Sequence, residues 1–393
     1  MNELKTKILN YISYNNIEYE DISKKIHANP EVSNYEFFAC NLLSKNLEKN
    51  GFHVEKEAAT HRTGFAATKK SKKPGPVIAF LAEYDALQGL GHGCGHNLIG
   101  TISVFAAIAT SKILDDVGGE IRVYGTPGEE GGEKGAAKGT FIREGYFKDV
   151  DIALQVHPYT KNTLTPTSLA LDPIDIEFFG KSAHAAICPE DGINALDALI
   201  LTFNGINALR QLLSSDVRIH GIILDGGTAP NTVPEYSKGR FYIRGATRSK
   251  VNDVTNKVKN IVKGAALATG CTYKMEKFQN HLDNLIPNKK LDEIYEKHLI
   301  DLNEDFIADY NFASTDAGNV SHVVPTLHPC LKTTDGNYSL HSIQFRDSCI
   351  MPTALDAISK GAKLLSLTAL DLLCDLNLVE EIKKHHTSIL NNQ

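Results

Sequence analysis

Three short segments of the chain combine residue types that hold metal ions or move protons. The densest is Glu83-Tyr84-Asp85-Ala86-Leu87, followed by Gly91-His92-Gly93-Cys94-Gly95-His96-Asn97. Thiolate and imidazole are both good ligands for zinc-like ions, and the intervening glycines let the backbone fold tightly around one. Cys94 and His96 are therefore the first candidate pair. The same glycines invite a dinucleotide-binding reading, but G-x-G-x-x-G fails because its third position holds His96. Taken alone, the segment could also be a tight strand-to-helix turn with incidental histidines.

The second segment is Gly125-Thr126-Pro127-Gly128-Glu129-Glu130-Gly131-Gly132. Adjacent glutamates are usually solvated surface, but here they lie in a rigid Pro/Gly turn. One can ligate a metal while its neighbour acts as general base on a water, since consecutive side chains diverge. The third is His157, which closes an apolar run and precedes Pro158. Three consecutive strand ends supplying Cys-x-His, Glu-Glu and His are hard to attribute to chance. Later residues are more ambiguous. His220 and Asn231 could hydrogen-bond an oxyanion or simply cap turns. His341 is equally readable as a ligand or as a buried histidine. Gly180-Lys181-Ser182 superficially suggests a phosphate loop, yet Asp175 stands where its first glycine belongs.

The elements that must position these residues alternate. Helix-like Phe37 to Asn50 is followed by strand-like Phe65 to Thr68 and Val77 to Ala82, then helix-like Leu98 to Leu114. Strand-like Ile121 to Gly125 and Ile152 to Val156 follow. This predicts an α/β layer with a largely parallel sheet, in which ligands gather outside the carboxyl ends of strands. From about Thr167 the order becomes β-α-β-β-α-β, the split unit of ferredoxin-like α+β domains, with helices over Ala195 to Leu213 and Val251 to Ala268. The expected organisation is an α/β domain of residues 1–166 and 281–393, interrupted by a smaller α+β insertion of residues 167–280, which the resemblance described below makes a catalytic domain and a lid and dimerisation domain. Met1 to Asn29 reads as a surface helix pair, and Thr353 to Leu376 as a long amphipathic helix.

The whole chain narrows the function class. Its 393 residues exceed the roughly 250–300 at which single cores stop growing, so two domains are the default. A net charge of -6 with dispersed lysines offers no nucleic-acid footprint. No apolar run of about 18 residues proposes a membrane span, and the amino-terminal segment lacks a signal-peptide core. Seven cysteines without a C-x-x-C pair suit reduced thiols, which predicts a cytoplasmic protein.

All these features together resemble the dinuclear metallopeptidase clan of aminoacylases and carboxypeptidase G. Within it, the chain is most similar to the subfamily of hippurate hydrolase, auxin-conjugate hydrolases and aminobenzoyl-glutamate hydrolase, with a staphylococcal branch linked to antibiotic resistance also close. The resemblance runs through Asn29-Pro30-Glu31, Tyr35-Glu36, Glu83 to Leu87, His92 to Asn97, Glu129-Glu130, His157, Gly180 to Ala186, Asn231, Arg244, Ser314 to Ser321 and His341-Ser342. It implies that Cys94, His96, Glu130, His157 and His341 hold two divalent ions, zinc foremost and manganese, nickel or cobalt as alternatives. It further implies that Glu129 is the general base and that Asp85 steadies the ligands. His220 and Asn231 would belong to the lid, His184 and Arg244 would help recognise substrate, and chains would pair as a homodimer or higher oligomer through the lid domain. Gly93, Gln88 and Asn97 depart from the commoner alanine, proline and aspartate, which bears on substrate choice.

The expected activity is hydrolysis of an amide or peptide bond in a small carboxylate-bearing molecule: an N-acyl amino acid, an aryl-amide glutamate or a dipeptide. The rival expectation is a catalytically degenerate relative that binds a small molecule.

Overall fold

A computed structural model describes residues 1–308 and 313–391 of the chain. The described residues form two compact units, Met1–Ser168 with Leu285–Gln393, and Leu169–Asn284.

The first unit is built on six strands: β1 (His53–Lys56), β2 (Phe65–Lys70), β3 (Val77–Ala82), β4 (Glu120–Gly125), β5 (Ile152–Leu154) and β11 (Thr326–Leu327). Their spatial order is β1-β2-β4-β3-β5-β11. The inner pairs β4-β3, β3-β5 and β5-β11 are parallel, whereas β1-β2 and β2-β4 are antiparallel. The apolar run Val77 to Ala82 is continuous because both faces of β3 are covered. Ile78 and Phe80 enter one core with the helices Asn2–Ala28, His96–Ser111 and Pro352–Cys374. Ala79 and Leu81 enter a second, smaller core with Phe141 and Phe147. The helix His96–Ser111 is buried along its whole length. It is hydrophobic all round because it is enclosed on every side.

Residues Asn2–Ala28 form one helix where the sequence suggests a helix pair. No proline or glycine interrupts it, and Ile8, Ile12, Tyr19, Ile22 and Ile26 make a single buried stripe at helical spacing. The strand expected over Ile152 to Val156 stops at Leu154, and a separate short strand β6 (His157–Tyr159) pairs in parallel with β12 (Cys330–Lys332).

The second unit holds β7 (Ala170–Phe179), β8 (Arg218–Asp225), β9 (Tyr236–Gly245) and β10 (Thr272–Lys277), in the order β10-β7-β9-β8 and all antiparallel. Helices Ala195–Arg210 and Arg248–Thr269 cover one face, where Ile219, Phe241 and Ile243 are buried. Asn194 and Thr247 cap these two helices, the Asn194 side chain accepting the N–H groups of Leu196 and Asp197 and the Thr247 hydroxyl that of Lys250.

Candidate active site

Parallel strands β3, β4 and β5 end at one edge of the sheet, and each is followed within a few residues by polar side chains. Past β3 come Glu83 and Asp85, past β4 come Glu129 and Glu130, and past β5 come Gln155 and His157. Cys94 enters from the turn before the helix His96–Ser111. That turn depends on Gly95, whose φ is +77° and whose missing Cβ would sit 2.9 Å from Pro158. A side chain there would be both strained and obstructed.

His96 begins its helix with a fully buried ring. Its Nδ1 lies 2.9 Å from Asp85 Oδ1, which orients the ring and turns Nε2 toward the other carboxylates. Nε2 stands 3.6 Å from Glu83 Oε2 and 3.8 Å from both Glu129 Oε2 and Glu130 Oε1. The two adjacent glutamates thus both face His96 instead of diverging. Asp85 Oδ2 also accepts the backbone N–H of Glu130 at 2.9 Å, so one carboxylate fixes a histidine and the glutamate turn together. The turn is held from behind by Glu36, whose Oε1 accepts the Gly128 N–H at 3.0 Å while Thr63 donates to Oε2 at 2.6 Å.

His157 Nδ1 lies 2.8 Å from the Pro158 carbonyl, which selects the tautomer whose Nε2 is the acceptor nitrogen; that atom is 3.5 Å from Cys94 Sγ. His341 has a left-handed backbone, φ 62°, fixed by its N–H donating to the Gly93 carbonyl at 2.9 Å. Its Nε2 reaches Glu130 Oε1 at 3.3 Å.

Charge follows from this crowding. Burial, then Glu130 and Glu129, push the Cys94 thiol well above its ordinary range. Burial, then His328 and His96, bring His157 down to about 3. Burial alone would lower His96, but Asp85, Glu83 and Glu130 overcome it and raise it well above normal. Burial, with Glu83 and Glu130 beside it, raises Glu129 well above the carboxylate range. Several buried thiol, imidazole and carboxylate donors aimed at one another is the arrangement expected of a metal centre.

The donors fit ions. Cys94, His96 and His157 each place a ligand atom within 4.8 Å of the others, as do Cys94, Glu130 and His341, and as do His96, Glu129 and Glu130. His96 Nε2 is buried without a hydrogen-bond partner, which an ion would supply. The first two groups share Cys94.

The remaining candidates lie in the second unit. His184 and Asn231 belong to neighbouring turns, joined where Ala185 N–H donates to the Asn231 carbonyl at 3.0 Å. On β8 and β9, Arg218 pairs with Arg244 and His220 with Tyr242. These residues project from the face opposite buried Ile219, Phe241 and Ile243. The His220 ring packs edge-on against Tyr242 at 5.7 Å, and Arg244 lies over the same ring at 5.4 Å.

Sequence reasoning names Glu83 and Glu36 without giving either a role of its own, and passes over Lys138 and Gln155. Glu83, Lys138 and Gln155 form a buried network beside His96. Lys138 carries no signal in the sequence, because a lysine among small residues reads as surface. Asn97 donates to Ser23 Oγ at 2.9 Å and to the Cys349 carbonyl at 3.4 Å, so its departure from aspartate is a packing matter behind the site.

Residues 173–269 match the family described as the peptidase dimerisation domain. The chain is 36% identical over 317 residues to the Xaa-Arg dipeptidase of Mus musculus, covering 78% of this chain and 72% of that protein. It is 32% identical over 384 residues to the Xaa-Arg dipeptidase of Homo sapiens, covering 92% and 87%. With one of the subunits of the p-aminobenzoyl-glutamate hydrolase of Escherichia coli it shares 37% identity over 295 residues, 70% of this chain and 60% of that one. Among solved structures, the aminobenzoyl-glutamate utilization protein of Klebsiella pneumoniae superposes with a TM-score of 0.73 at 19% identity, covering 92% of this chain and 97% of that one. A dinuclear metal-binding peptidase of the M20 family from Bacillus subtilis gives 0.64 at 16% identity, covering 92% and 99%. Sequence kinship of this extent, on a matching fold with grouped metal donors, makes the chain a member of the M20 family of aminoacylases and carboxypeptidases, and a metal-dependent hydrolase of amide or peptide bonds.

Proposed function

We propose that this chain is a dipeptidase or aminoacylase whose two metal ions, zinc by the thiolate and imidazole character of the donors, would be held by Cys94, His96, Glu130, His157 and His341. The observation that carries this reading is the sharing of Cys94 by two ligand groups, Cys94-His96-His157 and Cys94-Glu130-His341. When bound, a divalent pair supplies Lewis acidity, which lowers the pKa of a water and polarises the amide carbonyl.

The chain's own residues supply the rest. Asp85 holds the His96 ring and the Glu130 backbone in place. Glu129, buried beside His96, takes the proton of the attacking water and returns it to the leaving amine. Its carboxylate stands 3.8 Å from His96 Nε2, beside the donors that would hold the ions, which suits it to act on a water there. The substrate's carboxylate is recognised by cationic and amide donors of the second unit, for which Arg244, His184 and Asn231 are the candidates. His220 stabilises the developing oxyanion. Two copies pair through the second unit, whose match to a dimerisation domain supports a homodimer. All seven cysteines are free thiols, which supports a cytoplasmic setting. No helix among the described residues is long and apolar enough to cross a membrane.

The test is a panel of dipeptides ending in arginine, N-acyl amino acids and p-aminobenzoyl-glutamate, assayed on chelated protein refilled separately with zinc, manganese, cobalt or nickel. Metal-restored hydrolysis of at least one class is expected. Protein that holds two ions and cleaves none of them would overturn the reading in favour of a binding protein.

A further inference from the structure

The connector between the first two helices, residues 29–36, is bonded to both loops that carry Asp85 and the paired glutamates. The Glu31 carbonyl accepts the Ala86 N–H at 2.7 Å, one residue after Asp85. The Glu133 carbonyl accepts from Ser33 Oγ at 2.9 Å and from Asn34 Nδ2 at 2.7 Å. Glu36 Oε1 accepts the Gly128 N–H at 3.0 Å. The connector thus grips the glutamate turn on both sides of Glu129-Glu130. Ser33 packs so closely on the turn that a Cβ on Gly132 would sit 2.9 Å from Ser33 Cβ.

Glu36 is fully buried, and its two partners, the Gly128 N–H and the Thr63 hydroxyl at 2.6 Å, are neutral donors. A buried carboxyl among neutral partners is a costly way to fill space that an apolar side chain could occupy. What it provides is a fixed place for the residue immediately before Glu129. Glu129 therefore stands between two anchors, because Asp85 Oδ2 holds the N–H that follows it, at Glu130, by a bond of 2.9 Å. With only the Asp85 anchor, the turn could pivot about the Glu130 N–H. Glu129 would then move more than Glu130.

We infer that Glu36 is a positioning residue for hydrolysis, holding Gly128 so that the Glu129 carboxylate keeps its place beside His96. This rests on the reading of Glu129 as the general base. Glu36 acts through the backbone of the turn and not on the substrate.

The test compares Glu36→Met, which keeps the length of the side chain but has no carboxyl, with Glu36→Gln, whose amide oxygen can still accept the Gly128 N–H. Misplacing a reacting group by about 1 Å costs on the order of 10²-fold, so Glu36→Met should lower kcat by about that factor. KM and the content of two ions should stay near wild type, and Glu36→Gln should recover most of the loss. In a Glu129→Gln background, adding Glu36→Met should cost no more than about 2-fold, because the group it positions is already gone. Hydrogen exchange of the metal-free protein gives a readout independent of turnover. The segment Gly128 to Glu130 should exchange faster in Glu36→Met than in wild type, with protection restored in Glu36→Gln. If Glu36→Met does not fold, Thr63→Val, which releases only the second oxygen of Glu36, should show the same pattern with a smaller loss. Wild-type kcat or unchanged exchange in a folded variant, or an equal fold-loss in the Glu129→Gln background, would overturn the inference alone. A Glu129→Gln protein with wild-type turnover would instead bring down the general-base reading, and the inference with it.

Discussion

The carboxylate of Asp85 holds His96 by Nδ1 at 2.9 Å and leaves that ring's Nε2 facing Glu83, Glu129 and Glu130. Because its second oxygen takes the Glu130 N–H, Asp85 couples two candidate ligands from different loops. Asp85→Asn can keep one of these contacts but not both. Metal affinity is expected to fall about 10–100-fold while the fold persists, measured by competition with a chromogenic chelator. Unchanged affinity would show that the coupling does not matter.

The paired glutamates separate by function. Glu129→Gln should retain both ions and lose roughly 10²–10⁴-fold in turnover, since it removes only the proton carrier. Glu130→Ala should instead lower metal occupancy, because Glu130 belongs to the group with Cys94 and His341. Metal analysis beside kcat distinguishes them, and the opposite pattern would exchange the two roles.

Much of this site is legible in the sequence because its chemistry is concentrated in short segments. Cys94, His96, Glu129, Glu130 and His157 stand just beyond runs of apolar residues that read as strands, and the parallel sheet brings those ends together. His341 is ambiguous there, since its placement depends on a left-handed backbone and a bond to Gly93 that no local pattern encodes. The pairing of Lys138 with Asp316 is illegible for a related reason: they are 178 positions apart and meet only in the folded core. The first helix reads as two because its charged residues break up the apolar pattern, yet the buried stripe Ile8, Ile12, Tyr19, Ile22 and Ile26 is continuous.

Away from the site, Asp292 is buried and accepts both the N–H and the hydroxyl of Thr165, at 3.1 and 2.6 Å. Burial raises its carboxyl to about 7, against the opposing hydrogen bonds from Thr165. A carboxyl raised in the folded state favours folding fully below its unfolded pKa of about 4, and that contribution is lost as pH rises through 7. Asp292→Asn keeps the acceptor without the charge. Its stability relative to wild type should therefore grow between pH 5 and pH 8, by at most about 3 kcal/mol. Denaturant unfolding at the two pH values checks this, and an unchanged difference would show that Asp292 stays ionised.

The proposed oxyanion role of His220 has a distinct signature. His220→Ala should lower kcat about 10²–10³-fold with metal content intact. If the histidine serves a neighbouring copy, dissociating and reassembling inactive His220→Ala with inactive Glu129→Gln subunits should restore some activity. Near-normal kcat in the single variant would remove the role, and a dead variant without recovery in verified mixed oligomers would place His220 in its own chain's site.

The shared position of Cys94 is the centre of the account, and metal counting in single variants tests it most directly. His157→Ala and His341→Ala each remove a ligand from one group only, so each should retain close to one tightly bound ion per chain. Cys94→Ala removes the common ligand and should weaken both ions, leaving well under one per chain after gel filtration in a weak chelator. A folded Cys94→Ala protein that still carries two ions with wild-type affinity would contradict the account.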